Sequence, residues 1–335
     1  MPPVISVLIP VHNAERTLRQ AIESVLRQTF ADFEVVAVDD GSTDATPDLL
    51  DSIAGRDGRV RVIHSAHGGI IKALNTGLAA CEAPLIARMD ADDVSHPRRL
   101  QLQLDYLSAH PEISVCASLV RMFPRRSLLG GLIRYEQWLN SLVTPGQIAR
   151  DMFVESPVPH PGVMLRACEL ADVGGYQDNG WAEDYDLWLR YHAAGRRFGK
   201  VEETLIFWRQ SEGRLTFTDS RYSVENFLRA KAHYLARMPA LLGRPVVVWG
   251  AGKTGRRLTK HLIREGAAIE AVIDIDPNKI GRRLRGRPIA APGYLAGRTD
   301  AFVVAAVSSH GARELIRQQL NAMGFAEVRD YVCAA

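Results

Sequence analysis

The first part of the chain switches repeatedly between two hydrophobic periods. Val4 to Pro10 is an apolar run of the kind a strand shows when both its faces are buried. Ala14 to Gln28 then sets Leu18, Ile22, Val25 and Leu26 on one helical stripe. Phe33 to Val38 predicts a second strand. The turn Asp40-Gly41-Ser42-Thr43-Asp44 after it offers oxygens to the free N–H groups of a helix running through Leu50. Val60 to Ile63, Ile70 to Cys81 and Leu85 to Met89 continue as strand, helix and strand. Alternation of this kind calls for an α/β fold, with a mostly parallel sheet covered by helices on both faces. Ligands of such sheets collect beyond the carboxyl ends of the strands. His12 and Asn13, Asp39 and Asp40, and Asp90 to Asp93 all fall there.

From Pro97 to about Arg237 the pattern is less regular. It predicts a helix over Pro97–His110, a strand near Ser114–Met122, helices around Tyr135–Leu142 and Asp184–Ala194, and a long helix from Tyr222 to Met238. Pro239 to Pro245, with Gly243 inside it, reads as a linker. The remainder, 246–335, restarts as a small Rossmann-like α/β domain. Its strand Val246–Trp249 leads into Gly250-Ala-Gly252-Lys-Thr-Gly255, and Asp274 lies about twenty residues on. Those glycines could admit a phosphate to a helix N-terminus, with Asp274 on a ribose. A unit this short lacks the paired halves of a dinucleotide site, so a structural or docking role is the alternative.

Bulk properties narrow the class. With 335 residues, 47% hydrophobic and 24% charged, the chain fits a globular protein of two domains. A net charge of +3 gives no reason to expect nucleic acid as a partner. No apolar run approaches a bilayer span, and neither a signal peptide nor an anchor is expected. Cys81, Cys116, Cys168 and Cys333 are scattered without C-x-x-C spacing, which fits reduced thiols in a cytoplasm. The apolar stretch Leu128–Ile133, between Arg125-Arg126 and Arg134, leaves peripheral association with the inner membrane face open. A homo-oligomer is open as well.

Leu85-Ile-Ala-Arg-Met-Asp90-Ala-Asp92-Asp93 carries the chemistry. Carboxylates clustered past a buried strand repel one another unless a hard cation such as Mg²⁺ or Mn²⁺ sits among them, as in phosphate chemistry. An isolated D-x-D is otherwise a solvated acidic turn. Here it follows Pro10-Val-His-Asn13, Val36-Ala-Val-Asp39-Asp-Gly-Ser-Thr-Asp44 and Lys72-Ala-Leu-Asn75-Thr-Gly77, and it precedes Glu183-Asp184. These motifs in this order resemble the inverting family 2 glycosyltransferases of GT-A fold, over roughly Val4 to Met238.

The resemblance implies a GT-A domain at 1–238, its nucleotide-sugar part at about 1–123 and its acceptor part at about 124–238. It implies transfer of a sugar from a nucleoside diphosphate donor, uridine favoured, to a glycan or lipid-linked acceptor in surface polysaccharide or glycoconjugate synthesis. Pro10, Val11, His12 and Asn13 would floor the nucleotide, Asp39 would meet the base, and Lys72 and Asn75 the base or phosphates. Asp90 would hold the ribose, with Ala91 beside it, and Asp92 the metal. Asp184 would be the base that takes the acceptor proton. At a helix start it is equally what the helix dipole alone would favour. Glu183 would orient that loop, with Asp186 a helix-surface acid.

His160, in a proline-rich loop, could touch acceptor or phosphate, or be hydrogen-bonded for structure. Ser211 stands where relatives carry a histidine, leaving Arg209 or Arg214 for the diphosphate. His12 replaces a common aromatic. The competing functions are an NAD(P)-dependent sugar oxidoreductase, suggested by the glycines, and a non-catalytic sugar-nucleotide-binding protein. A nucleotidyltransferase fits less well, because Pro10 to Leu18 contains no glycine.

Overall fold

The computed structural model describes residues 2–211 and 213–335. Contacts divide the chain into two compact units. The first comprises the chain up to Ile148 together with Val158–Asn179 and Glu183–Arg214, and the second Ala149–Pro157, Gly180–Ala182 and Leu215–Ala335.

In the first unit, strands β1 (Ile5–Val11), β2 (Phe33–Asp40), β3 (Val60–Ser65), β4 (Leu85–Arg88), β5 (Val94–Ser95), β6 (Ile113–Phe123), β7 (Met164–Arg166) and β8 (Arg197–Arg209) form one sheet. Their order is β3-β2-β1-β4-β7-β6-β8-β5. Pairing is parallel from β3 through β4 and between β6 and β8, while β7 and β5 run antiparallel to their neighbours. The helices are α1 (Leu18–Leu26), α2 (Thr46–Ala54), α3 (Ile70–Ala80), α4 (Arg99–Ala109), α5 (Gly130–Ser141), α6 (Pro145–Asp151), α7 (Ala167–Asp172) and α8 (Glu183–Ala193), α6 running into the second unit. Every residue of β1 is buried, as a central parallel strand covered on both faces requires. Ile5, Val7 and Ile9 share one core with Leu18, Ile22 and Val25 of α1.

Three strands escape the hydrophobic pattern. β5 and β7 are too short to show a period, and the pairing of β8 with β6 shifts register more than once, which breaks its alternation. The helix expected from Ala14 begins only at Leu18. The N–H groups of Ala14 and Glu15 instead donate to Thr46 Oγ1 (2.8 Å) and Asp44 Oδ2 (3.2 Å), tying the loop after β1 to the loop after β2.

The second unit holds α9 (Leu215–Thr218), α10 (Val224–Leu235), β9 (Val246–Trp249), α11 (Lys253–Arg264), β10 (Ile269–Ile273), β11 (Arg283–Leu284), β12 (Arg287–Ala290), β13 (Phe302–Ala305), α12 (Ala312–Ala322) and β14 (Tyr331–Cys333). Its sheet order is β11-β12-β10-β9-β13-β14, parallel except for β11. The boundary differs from the sequence expectation. Helix α10 lies in this unit, where Glu225 bonds Lys260 Nζ and His261 Nε2 of α11, both at 2.9 Å. The stretch read as a linker is anchored here too. Arg244 donates to the carbonyls of Thr299, Asp300, Ala301 and Arg329. No helix among the described residues is long and apolar enough to cross a membrane.

A buried amide braces the loop that leads to the polar edge. Gln103 Nε2 donates to the carbonyls of Cys116 (3.0 Å) and Gly162 (2.7 Å), and its Oε1 accepts from Arg99 Nε (3.0 Å). Gln103→Leu strands these groups without partners, and each buried unpaired polar group costs about 1–3 kcal/mol. Urea denaturation should therefore show a loss of about 3 kcal/mol. An unchanged midpoint would show that the brace contributes nothing.

Candidate active site

The carboxyl ends of β1, β2 and β4 deliver their polar residues to one edge. Val11 is level with Asp39 across the β1–β2 pair, and Arg88 with Leu8 across β1–β4. Pro10 and Val11 are buried. Asp39 is buried and accepts from Ser42 N–H (3.0 Å) and contacts His64 Nδ1 (3.0 Å). Burial pushes its carboxyl up, but these bonds together outweigh burial and hold it below the usual aspartate range. Asp39 is therefore an ionised acceptor.

Several neighbours have structural duties that the motifs did not reveal. Asn13 sits at φ 48°, a conformation asparagine tolerates, and its Oδ1 accepts Thr43 N–H (2.8 Å). Its amide oxygen thus stitches two loops together, while its Nδ2 lies 3.2 Å from His12 Nε2 on the exposed side. Asn75 likewise commits both amide atoms to the backbone of Tyr176, at 2.8 and 3.1 Å. Just before α3, the Gly68 and Gly69 N–H groups donate to the Asp40 carboxylate (2.7 and 2.9 Å). Lys72 is exposed, its side chain lying across Gly68. His12 stacks on His67 with centroids 4.5 Å apart, both rings exposed. Ligand atoms of His12, Asp40 and His67 come within 4.8 Å, and the two Nδ1 atoms both meet the Asp40 carbonyl oxygen, at 2.9 and 3.0 Å.

Past β4, the chain turns tightly, with Asp93 N–H reaching Asp90 O at 3.4 Å. Ala91 lies half-buried within this turn. Oxygens of Asp90, Asp92 and Asp93 come within 4.8 Å of one another. Burial, and then Asp90, push the Asp92 carboxyl up to about 6. Asp93 is driven up by burial and then by both neighbouring acids. Its Oδ1 accepts Arg209 N–H (2.6 Å), while its buried Oδ2 has no hydrogen-bond partner among the described residues. An orphaned oxygen beside two further carboxylates is the donor set that fits Mg²⁺ or Mn²⁺.

Arginines surround this acid turn. Arg209 Nε donates to Asp92 O (2.6 Å), its Nη2 to Gln20 (2.7 Å), and its guanidinium covers Phe123 at 4.5 Å. It clamps the loop. Arg214 bonds the Arg209 carbonyl, stacks on Trp208 at 4.9 Å, and opposes the upward shift of both Asp92 and Asp93. Arg88, which the sequence reading passed over, is 1% exposed and ion-paired to Asp90. Its charge also reaches Asp92, Asp184, Tyr176 and His160. The signal was available: a charged residue inside the apolar run of β4 must be paired to be tolerated.

The second acid pair opens α8. Glu183 is buried, and half-buried Asp184 accepts Tyr185 N–H at 2.7 Å. Burial and then Glu183 push Asp184 up to about 7. Asp186 is no surface acid; it is fully buried and paired with Arg190 at 2.8 Å. His160 contacts Tyr176 Oη at 2.8 Å, and burial, with Arg88 second, depresses its pKa strongly, leaving a neutral imidazole.

In the second unit, Gly255 is obligatory, since a Cβ there would lie 1.8 Å from Gly250 O. Gly250 adopts φ 132°. Gly252 is exposed at the start of α11. Asp274 accepts from Ala251 N–H (2.9 Å) and pairs with Lys279 (3.2 Å), so its carboxylate closes onto the glycine turn.

Comparisons with known proteins identify the family and the fold. The family model "Glycosyl transferase family 2" matches residues 6–169. EpsE of Bacillus subtilis (strain 168) is 31% identical over 229 residues, covering 67% of this chain and 79% of EpsE. The amylovoran biosynthesis glycosyltransferase AmsE of Erwinia amylovora is 32% identical over 207 residues, covering 60% and 74%. The UDP-Gal:alpha-D-GlcNAc-diphosphoundecaprenol beta-1,3-galactosyltransferase of Escherichia coli is 28% identical over 213 residues, covering 63% and 75%. Among solved structures, S. aureus TarS 1-349 in complex with UDP-GlcNAc superposes with a TM-score of 0.55 at 19% identity, over 79% of this chain and 72% of that one. The mannosyltransferase PcManGT of Pyrobaculum calidifontis, with GDP-Man and Mn²⁺, gives 0.51 at 18% identity, over 70% and 63%. At such identities the structures speak for the fold alone.

The raised Asp184 carboxyl makes a stability prediction. An unfolded aspartate titrates at about 3.9. The folded chain therefore keeps a proton that the unfolded chain loses, and stability falls as pH rises from about 4 to about 7. Asp184→Asn removes that burden. Thermal or urea unfolding should find the variant on the order of 1–2 kcal/mol more stable at about pH 8, after allowing for solvent screening, with no gain at about pH 4. Equal stability at the higher pH would remove the shift.

Proposed function

Because the chain belongs to glycosyl transferase family 2, we propose that it is a metal-dependent, inverting enzyme using a uridine diphosphate sugar. Its acceptor is a glycan or lipid-linked saccharide of a surface polysaccharide or glycoconjugate. The observation that carries the reading is the carboxylate cluster after β4, with Asp93 Oδ2 unpartnered inside it. Three acids and a buried guanidinium gathered there are costly to fold unless a ligand of matching charge completes them. A hard cation held there by Asp92 would do so, and it would supply the positive charge that a departing diphosphate needs. Asp92, half-buried and facing no fixed hydrogen-bond donor of a side chain, is the ligand; Asp90, turned by Arg88, is free on one oxygen for a ribose hydroxyl.

Asp39 then accepts the imide N–H of uracil, and the His12–His67 stack provides an exposed ring surface for the base. A donor with uridine is supported by that ionised acceptor and by relatives and fold neighbours whose names specify UDP-Gal and UDP-GlcNAc. The same naming, diphosphoundecaprenol for one relative and amylovoran for another, supports lipid-linked glycans as the acceptor class. Mn²⁺ accompanies the donor in one fold neighbour.

Asp184 is the general base. A carboxyl titrating near neutrality holds a proton taken from the acceptor hydroxyl better than an ordinary aspartate, and the reaction needs that transfer only as the hydroxyl becomes acidic in the transition state. One base acting opposite a departing diphosphate gives a single displacement, hence inversion.

Two substitutions separate these roles. Asp92→Asn should abolish the Mn²⁺-dependent part of UDP binding in calorimetry. Asp184→Asn should leave that binding within about twofold and lower transfer by about 10²-fold or more, the usual scale of general-base removal. Metal-dependent binding that survives the first change, or transfer that survives the second, would discard the corresponding assignment.

A further inference from the structure

We propose that the start of α5, Leu128 to Arg134, is a membrane-contact surface that seats the first unit on an anionic lipid bilayer. Leu129 is 75% exposed, and Leu132 and Ile133 beside it are half-exposed. One exposed leucine is ordinary. Its surroundings are not. Arg121, Arg126 and Arg134 are exposed and make no ion pair among the described residues. The sequence has no acid between Glu112 and Glu136. Glu136 is itself 9% exposed and is taken up by Arg125 at 2.7 Å. Exposed aliphatic side chains in a stretch flanked by uncompensated guanidinium groups are complementary to acyl chains beneath anionic headgroups.

A second copy of the chain fits this surface poorly. In a symmetric contact the same unpaired arginines would face themselves, and three aliphatic side chains, only one of them fully exposed, offer little apolar surface for a stable dimer. The surface is also continuous with the acid cluster inside one unit. Along α5, Tyr135 and Trp138 follow (centroids 5.7 Å apart), then Trp208 of β8 (6.3 Å from Tyr135), with Arg214 stacked on its ring and acting on Asp92. This inference extends the proposed function by fixing where a lipid-linked acceptor is met, and its test does not depend on donor chemistry.

The test is flotation of the full-length chain with phosphatidylcholine vesicles made with and without phosphatidylglycerol. Binding is expected only with phosphatidylglycerol and should weaken with added salt. Leu129→Asp, and the double change Arg126→Glu with Arg134→Glu, should each reduce the floated fraction about tenfold. Thermal stabilisation by UDP and Mn²⁺ should match the parent in both, which establishes that they fold. Failure of the parent to float with phosphatidylglycerol, or variants that float equally well, would overturn the surface. So would Leu129-dependent self-association in sedimentation without lipid, which would assign the face to a second copy. Loss of UDP binding with flotation intact would sink the donor reading and leave this one standing.

Discussion

The polar edge of the first unit is organised around one buried charge. Arg88 stands at the end of β4 with almost no solvent contact, paired to Asp90 and within electrostatic reach of Asp92 and Asp184. A guanidinium removed from water is tolerated only when matched by carboxylates of good geometry. Here the acids outnumber it, and burial first, then their mutual repulsion, drives Asp92, Asp93 and Asp184 upward. The turn after β4 is therefore left with surplus negative charge in a place of poor solvation. Such a place binds cations and holds protons, and those are the two capacities a glycosyl transfer site needs.

Rigidity beneath this charge comes from side chains that touch no ligand in the proposed reaction. Arg99 Nη2 donates to the Arg88 carbonyl at 2.7 Å and is itself set by Gln103. Asn75 fixes the Tyr176 backbone, and Tyr176 fixes His160 through its hydroxyl. Arg209 holds the acid turn from above through Asp93 and the Asp92 carbonyl. Groups that must meet a diphosphate and a hydroxyl in fixed geometry are placed by such supports, because small misplacements cost much of the rate.

The sequence and the structure agree most where the hydrophobic period is strongest. β1, β2 and β4 are nearly continuous apolar runs, and the acids at their ends follow from the parallel-sheet rule alone. Agreement fails where partners are distant in sequence. Asn75 meets Tyr176, Asp93 meets Arg209 and Gln103 meets Gly162, and no local pattern encodes those meetings. Asn13 and Asn75 carry the family's motif, yet in this chain the Asn13 Oδ1 and both Asn75 amide atoms bond protein groups. A motif thus names the residue type at a position without saying which of its atoms stays open. The register shifts of β8 and the brevity of β5 and β7 explain why these three strands of the eight leave no hydrophobic period.

The central claim is that surplus carboxylate charge after β4 holds a cation against a diphosphate. Anomalous diffraction at the manganese edge, from crystals grown with Mn²⁺ and UDP, tests it most directly. The account predicts one peak in contact with the Asp92 carboxylate and a diphosphate oxygen. UDP bound at this edge with no peak there, or with manganese elsewhere, would contradict it.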